Sequence, residues 1–161
     1  MKALLLSSCW FQCLWFAAVV GREAWQWLTL TMVILTLLLS IRTNAAQWRW
    51  SLAVALFGIV LDSINQAAGF FVFNSAHLPW WMMSLWLAFA WYSWWLSDLL
   101  RRYPVFISVL LGALAGMLSY LAGAYLQAVM LPFGVPLTAV ILFCQWGVLI
   151  GLMLAYRGRF R

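Results

Sequence analysis

Long apolar runs separated by short polar breaks dominate this chain. Each run is long enough to cross a bilayer as a helix, which takes about 20 residues. Six runs stand out, at residues 3–20, 24–41, 52–73, 79–96, 104–126 and 137–156. The breaks are Gly21-Arg22-Glu23, Arg42-Thr43-Asn44, Asn74-Ser75-Ala76-His77, the cluster of Asp98, Arg101 and Arg102, and the turn marked by Pro132, Gly134 and Pro136. Trp48-Arg49-Trp50 leads into the third run. Proline suits the first turn of a helix, so Pro79 and Pro104 open the fourth and fifth. The pattern predicts an all-α polytopic membrane protein: a single transmembrane domain over residues 1–161, with six helices and short loops.

The third run departs from the others. Its middle carries Asp62, Ser63, Asn65 and Gln66. A carboxylate at the centre of a membrane helix costs about 2.5–3.5 kcal/mol on insertion scales, so such a group is expected to face protein or a wet cavity. Gly58, Asp62, Asn65 and Gly69 follow steps of four, three and four, which places them on one helical face. Gly112, Gly116, Ser119 and Gly123 repeat that spacing in the fifth run. Small residues let helix backbones approach, and Gly112 to Gly116 is a GxxxG. The expectation is that the third and fifth helices are neighbours, with Asp62 near Gly116, Ser119 and Tyr120. Gly58, Gly69, Gly112, Gly116 and Gly123 are then the packing positions.

Composition agrees with a membrane setting. The chain is 68% hydrophobic and 7% charged, where soluble domains carry about 25% charged residues. That excludes a water-soluble monomer. The net charge of +6 would suit nucleic acid in a soluble protein, but here the cations sit in short loops, where topology explains them. With the N-terminus in the cytoplasm, Lys2, Arg42, Arg49, Arg101, Arg102, Arg157, Arg159 and Arg161 all face inward, and Arg22 alone faces out. Six crossings place both termini in the cytoplasm, in accord with the positive-inside rule. The apolar stretch before Cys9 is shorter than the 7–15-residue core of a signal peptide, so the first run reads as an uncleaved membrane helix.

Candidate chemistry is sparse. Asp62, Asn65 and Gln66 are candidates to bind a ligand's polar group or to tie helices together. Trp86 and Phe89, at i and i+3 of the aromatic fourth run, are candidates to line a pocket for a flat or lipidic ligand, with Ser119 and Tyr120 opposite. Interface belts and lipid-facing bulk explain such aromatics equally well. Gln12 and Gln145 sit inside helices and can hydrogen-bond between them. Cys9, Cys13 and Cys144 lie in predicted helices and read as small apolar fillers. Their spacing with the lone His77 offers no metal site, and no cofactor is implied. A catalytic set is hard to assemble, because His77 lies near one membrane face while Asp62 lies near the centre.

Three stretches together carry a resemblance. They are Trp10-Phe11-Gln12-x-x-Trp15-Phe16, then Gly58-x-x-x-Asp62-Ser63 with Gly69-Phe70, and Gly112-x-x-x-Gly116-x-x-Ser119-Tyr120-x-Ala122-Gly123. With Pro79-Trp80 and Leu85-Trp86-x-x-Phe89-Ala90, they resemble a domain-of-unknown-function family of small polytopic inner-membrane proteins in Gram-negative bacteria. The resemblance implies an inner-membrane location and no set activity. Residues 58–63, followed by Gly69, are also similar to the Gly-x-x-x-Asp stretch of the rod-shape-determining MreD family. That likeness implies the fold shared with the substrate-binding S components of energy-coupling-factor transporters. No S-component docking signature accompanies it.

The expected function is binding of a small molecule or lipid in a midplane pocket formed by Asp62, Asn65, Gln66, Trp86, Phe89, Ser119 and Tyr120, as in a transport subunit. The alternative is a structural or assembly partner of other membrane proteins, without a ligand of its own.

Overall fold

The computed structural model describes residues 2–41 and 45–158. The expected turn at Arg42-Thr43-Asn44 and the basic residues Arg159 and Arg161 lie outside the described residues. Five helices follow in chain order: α1 Lys2–Ile41, α2 Ala45–Ala67, α3 Trp80–Leu100, α4 Val105–Tyr125 and α5 Val135–Arg157. Helices α1, α2, α4 and α5 are long and apolar enough to cross a membrane. These features fit an integral, multi-pass membrane protein.

Helix α1 is not one straight rod. At 40 residues it would extend about 60 Å, twice the hydrocarbon thickness. Arg22 breaks it, with φ 44° and ψ −130°. The indole nitrogen of Trp10 donates to Thr36 Oγ1 at 2.9 Å. In an unbroken helix those residues would stand about 39 Å apart, so the two halves fold back on each other at Arg22. Leu14, Val33 and Leu37 pack together between the halves and against Trp91 of α3. Gly21-Arg22-Glu23 therefore acts as a turn inside hydrogen-bonded helix.

Helix α2 starts and stops earlier than the apolar run suggests. Trp48-Arg49-Trp50 is helical, and Trp50 is fully buried with its indole N–H on Ser93 Oγ at 2.8 Å. Residues 68–73 leave the helix instead of completing it. The cause is a glycine-based C-terminal cap: Gly69 has φ +79°, Phe70 N–H bonds Asn65 O, and Gly69 N–H bonds Gln66 O. Gly69 is thus a turn residue and not the packing position expected of it. Helix α4 ends in the same bond pattern, Ala128 N–H to Gly123 O and Gln127 N–H to Ala124 O, but with Gln127 in the left-handed position at φ 59°. The loops after α2 and α4 meet through paired backbone bonds between Val72 and Met130.

Helix α3 is the hub, packing on α1, α2 and α5, while α4 packs along α5. Its composition suits that place. Ser84, Ser93 and Ser97 are fully buried, and each hydroxyl returns a bond to a carbonyl of the same helix. They keep the backbone surface thin without leaving orphaned polar groups. The small-residue stripe of α4 serves α5 and not α2, contrary to expectation. A Cβ at Gly112 would press on Ile150, and one at Gly116 would fall within the Trp146 ring. Gly123 has looser surroundings, with Val129 the nearest side chain. Gly58 does the same work for the α2–α3 pair, because a Cβ there would fall within the Trp86 indole. The three cysteines are exposed on helix surfaces and do not fill the interior as expected.

Charges segregate to the two ends. The Arg157 guanidinium meets Asp98 at 3.1 Å and lies 3.3 Å above the Trp94 ring, joining the C-terminal ends of α5 and α3. Trp50, near the start of α2, stacks on Tyr156 at the same end. Ser8 bonds Tyr92, and Phe11 meets Phe89, so the first half of α1 runs antiparallel to α3 and brings Lys2 to that end too. Arg22 marks the opposite end. Its two terminal nitrogens donate to Gln127 O at 3.0 Å and Leu126 O at 3.1 Å, which caps α4.

Candidate functional site

Two adjoining features make up the site: a closed polar knot and an open apolar cavity. The knot centres on Asp62, which is 1% exposed. Its Oδ2 accepts from Trp86 Nε1 at 2.6 Å and from the Tyr120 hydroxyl at 2.6 Å. Short bonds of this kind are what an acid needs to sit at membrane depth without a cation. One turn along α2, Asn65 and Gln145 exchange two amide bonds, Nδ2 to Oε1 at 2.9 Å and Nε2 to Oδ1 at 2.8 Å. That pair ties α2 to α5, each amide using one N–H and its oxygen on the other.

The cavity lies between the first half of α1 and helices α3, α4 and α5, with a volume of about 700 Å³. That is within the 300–1,000 Å³ usual for ligand pockets. Phe11, Trp15, Trp86, Phe89, Tyr120 and Trp146 supply most of its aromatic wall. Trp86 stacks on Trp146 at 5.5 Å with 13° between planes, and Phe11 stacks on Tyr92 at 4.8 Å with 7°. Among the described residues, no charged side chain lines it. Its lining along α3 runs from Met82 to Leu96, a rise of about 21 Å along the helix axis. Phe16 of α1 and Leu118 of α4, both lining residues, are 57% and 56% exposed, so the cavity opens sideways on the apolar flank. Trp15 Nε1 to Ser119 Oγ, at 2.9 Å, bridges α1 and α4 across it.

The expected site residues divide among three places. Trp86, Phe89, Ser119 and Tyr120 line the cavity. Asp62 and Asn65 lie outside it, within the polar knot. Trp86 and Tyr120 belong to both, each donating to Asp62 and facing the cavity. Asp62 does meet Tyr120 of α4, although the meeting is made by a long side chain and not by neighbouring backbones. Gln66 joins neither group. It donates to Ser75 O at 3.1 Å and lines a separate cavity of about 450 Å³ beside His77, where Ser75 donates to the His77 carbonyl. Sequence reading omitted Phe11, Trp15, Tyr92 and Trp146 from the pocket. A signal existed for part of this, because Met82, Leu85, Phe89, Tyr92 and Leu96 are spaced by three or four and form one helical stripe. Nothing in the spacing placed α1 against that stripe.

Buried acid, aromatic cavity and apolar helices define a polytopic α-helical membrane protein with a laterally open cleft. A family model described as a protein of unknown function, DUF2878, matches residues 4–152, and the chain belongs to that family. No curated protein and no solved structure matches it.

Proposed function

We propose that this protein crosses the bacterial inner membrane six times, both termini cytoplasmic, and binds an elongated apolar molecule taken sideways from the bilayer. Counting the two halves of α1 and the aromatic helix α3 with the other three helices gives the six crossings. Helix α3 spans 21 residues, about 31 Å, and its low hydropathy reflects Trp, Tyr and Ser rather than charge. Lys2, Arg49, Arg101, Arg102 and Arg157 gather at one end against Arg22 at the other, which supports a cytoplasmic assignment for the first.

The observation that carries the binding reading is the cavity itself. It is uncharged, rich in aromatics, long enough for a lipid chain, and open toward lipid. Compact membrane bundles leave no such void between helices without cost, since an empty apolar space forfeits dispersion contacts along its walls. Asp62 acts here as a positioning residue that fixes Trp86 and Tyr120, and not as a ligand contact. A purely structural role in assembly has less support, because the GxxxG stripe that would suit an outside partner is used within the chain between α4 and α5.

Native mass spectrometry of the protein released from its own membranes tests the reading. The expected result is a bound lipid-sized adduct that is lost in Ala115→Trp, since Ala115 lines the cavity and is exposed there. Equal adducts in the folded variant and the wild type would refute it.

A further inference from the structure

The cavity lining carries a primary amide, that of Gln12, with no hydrogen-bond partner among the described residues, and it bears on what the ligand must carry. We infer that the ligand is an apolar chain bearing a neutral hydrogen-bonding oxygen part-way along its length, recognised by the side-chain amide of Gln12. This rests on the binding role proposed above and specifies its substrate class.

Gln12 lines the cavity, ten residues after Lys2 and nine before Gly21, and so sits near mid-depth in the first half of α1. A primary amide at that depth has no water to turn to, and leaving it without a partner is costly. Several polar side chains nearby are paired within the protein. Gln145 and Asn65 pair with each other. One turn before Gln12, the Ser8 hydroxyl is bonded to Leu4 O and to the Tyr92 hydroxyl. Three residues after it, Trp15 is bonded to Ser119. Gln12 is exposed and makes no hydrogen bond to any described residue, so an occupant of the cleft meets a free amide there.

The chemistry of that partner is bounded. Among the described residues the lining holds no charged side chain, so a carboxylate or ammonium would be buried there without compensation. A carbonyl, hydroxyl or ether oxygen pairs with an amide and carries no charge. Ser8 lies about 6 Å from Gln12 along the helix axis, and the cleft extends about 21 Å in all. The oxygen therefore falls within the chain and not at its end.

The test compares octadecane with an octadecanone carrying its carbonyl at mid-chain, both uncharged, by binding isotherms on the delipidated full chain in detergent. The wild type is expected to hold the keto probe about five- to tenfold more tightly, the worth of one net hydrogen bond. Gln12→Leu is expected to bind the two probes equally and to keep its helical content. Three results overturn the inference while leaving the cleft reading intact: a wild type that does not distinguish the probes, a Gln12→Leu protein that keeps the preference, or a Gln12→Leu protein that changes its oligomeric state instead. A wild type that binds neither probe, or an Ala115→Trp variant that binds both like the wild type, removes the cleft reading together with the inference.

Discussion

Removing a buried acid's two hydrogen-bond donors should harm this protein more than removing the acid as well. Trp86→Phe and Tyr120→Phe each delete one bond to Asp62 Oδ2. Interhelical bonds in membrane bundles average about 0.6 kcal/mol and reach about 1.7, so each single loss is modest. The double variant differs in kind, because Asp62 stays 1% exposed in the wild-type packing with neither donor left to it. The acid then carries the uncompensated burial cost, about 2.5–3.5 kcal/mol on insertion scales. Adding Asp62→Leu removes that cost and introduces no new polar group. The triple variant should therefore be more stable than the double by about 2–3 kcal/mol, although it carries one more substitution. Volume lost on changing Trp86 to Phe is common to both variants and cancels. The measurement is unfolding of detergent-solubilised protein by increasing denaturing-surfactant fraction, followed by far-UV circular dichroism. A triple variant no more stable than the double would show that the carboxyl is not held by these two donors.

Three further outcomes follow from the packing and the caps. Gly58→Ala should destabilise by about 1–3 kcal/mol in the same unfolding assay, because its methyl would enter space held by the Trp86 indole. Gln127→Gly should stabilise by about 0.5–1 kcal/mol. It relieves a left-handed residue worth about 1–2 kcal/mol and gives back part of that in added freedom of the unfolded chain. Arg157→Gln should cost more than Asp98→Asn: the guanidinium is 8% exposed and lies over Trp94, a contact worth about 2 kcal/mol when desolvated, whereas Asp98 is 52% exposed and its ion pair is worth about 1 kcal/mol or less. Equal losses in those two variants, measured by thermal unfolding, would overturn that ranking.

Hydrophobic periodicity was a good guide to what this chain is and a poor guide to which helix touches which. The all-α membrane class follows from run length alone. The burial of Asp62 follows from the expense of exposing it to lipid. Pairing did not follow, because small residues state that something approaches closely without stating what. Gly112 and Gly116 share the spacing of Gly58 and Asp62, yet they receive Ile150 and Trp146 of α5. Matching stripes on α2 and α4 reflect two separate aromatic insertions, not one shared interface. The end of α2 was misplaced for a different reason. Residues 70–73, Phe-Phe-Val-Phe, are apolar enough to continue a membrane helix, and only the left-handed Gly69 shows that the chain leaves it. Gln12 and Gln145 looked alike in sequence, and only tertiary structure separates a paired amide from an unpaired one.

If the cleft binds a ligand as proposed, its two walls differ in how firmly they are held. Trp86 is fixed on three sides, by the carboxyl of Asp62, the stacked ring of Trp146 and the bare backbone of Gly58. Tyr120 is fixed by the same carboxyl and by Phe71, 5.2 Å away. Those rings form a rigid floor, since moving either breaks a short buried bond and leaves the acid exposed to hydrocarbon. The opposite wall is the first half of α1. It packs on α3 but reaches α4 through single side chains, Trp15 to Ser119 and Arg22 to the carbonyls that follow α4. On the binding reading proposed above, a chain entering from the bilayer would pass between α1 and α4 and break the bond between the Trp15 indole and the Ser119 hydroxyl. On that reading the buried acid would serve binding from a distance: it holds Trp86 and Tyr120 in place so that the opposite face can give way.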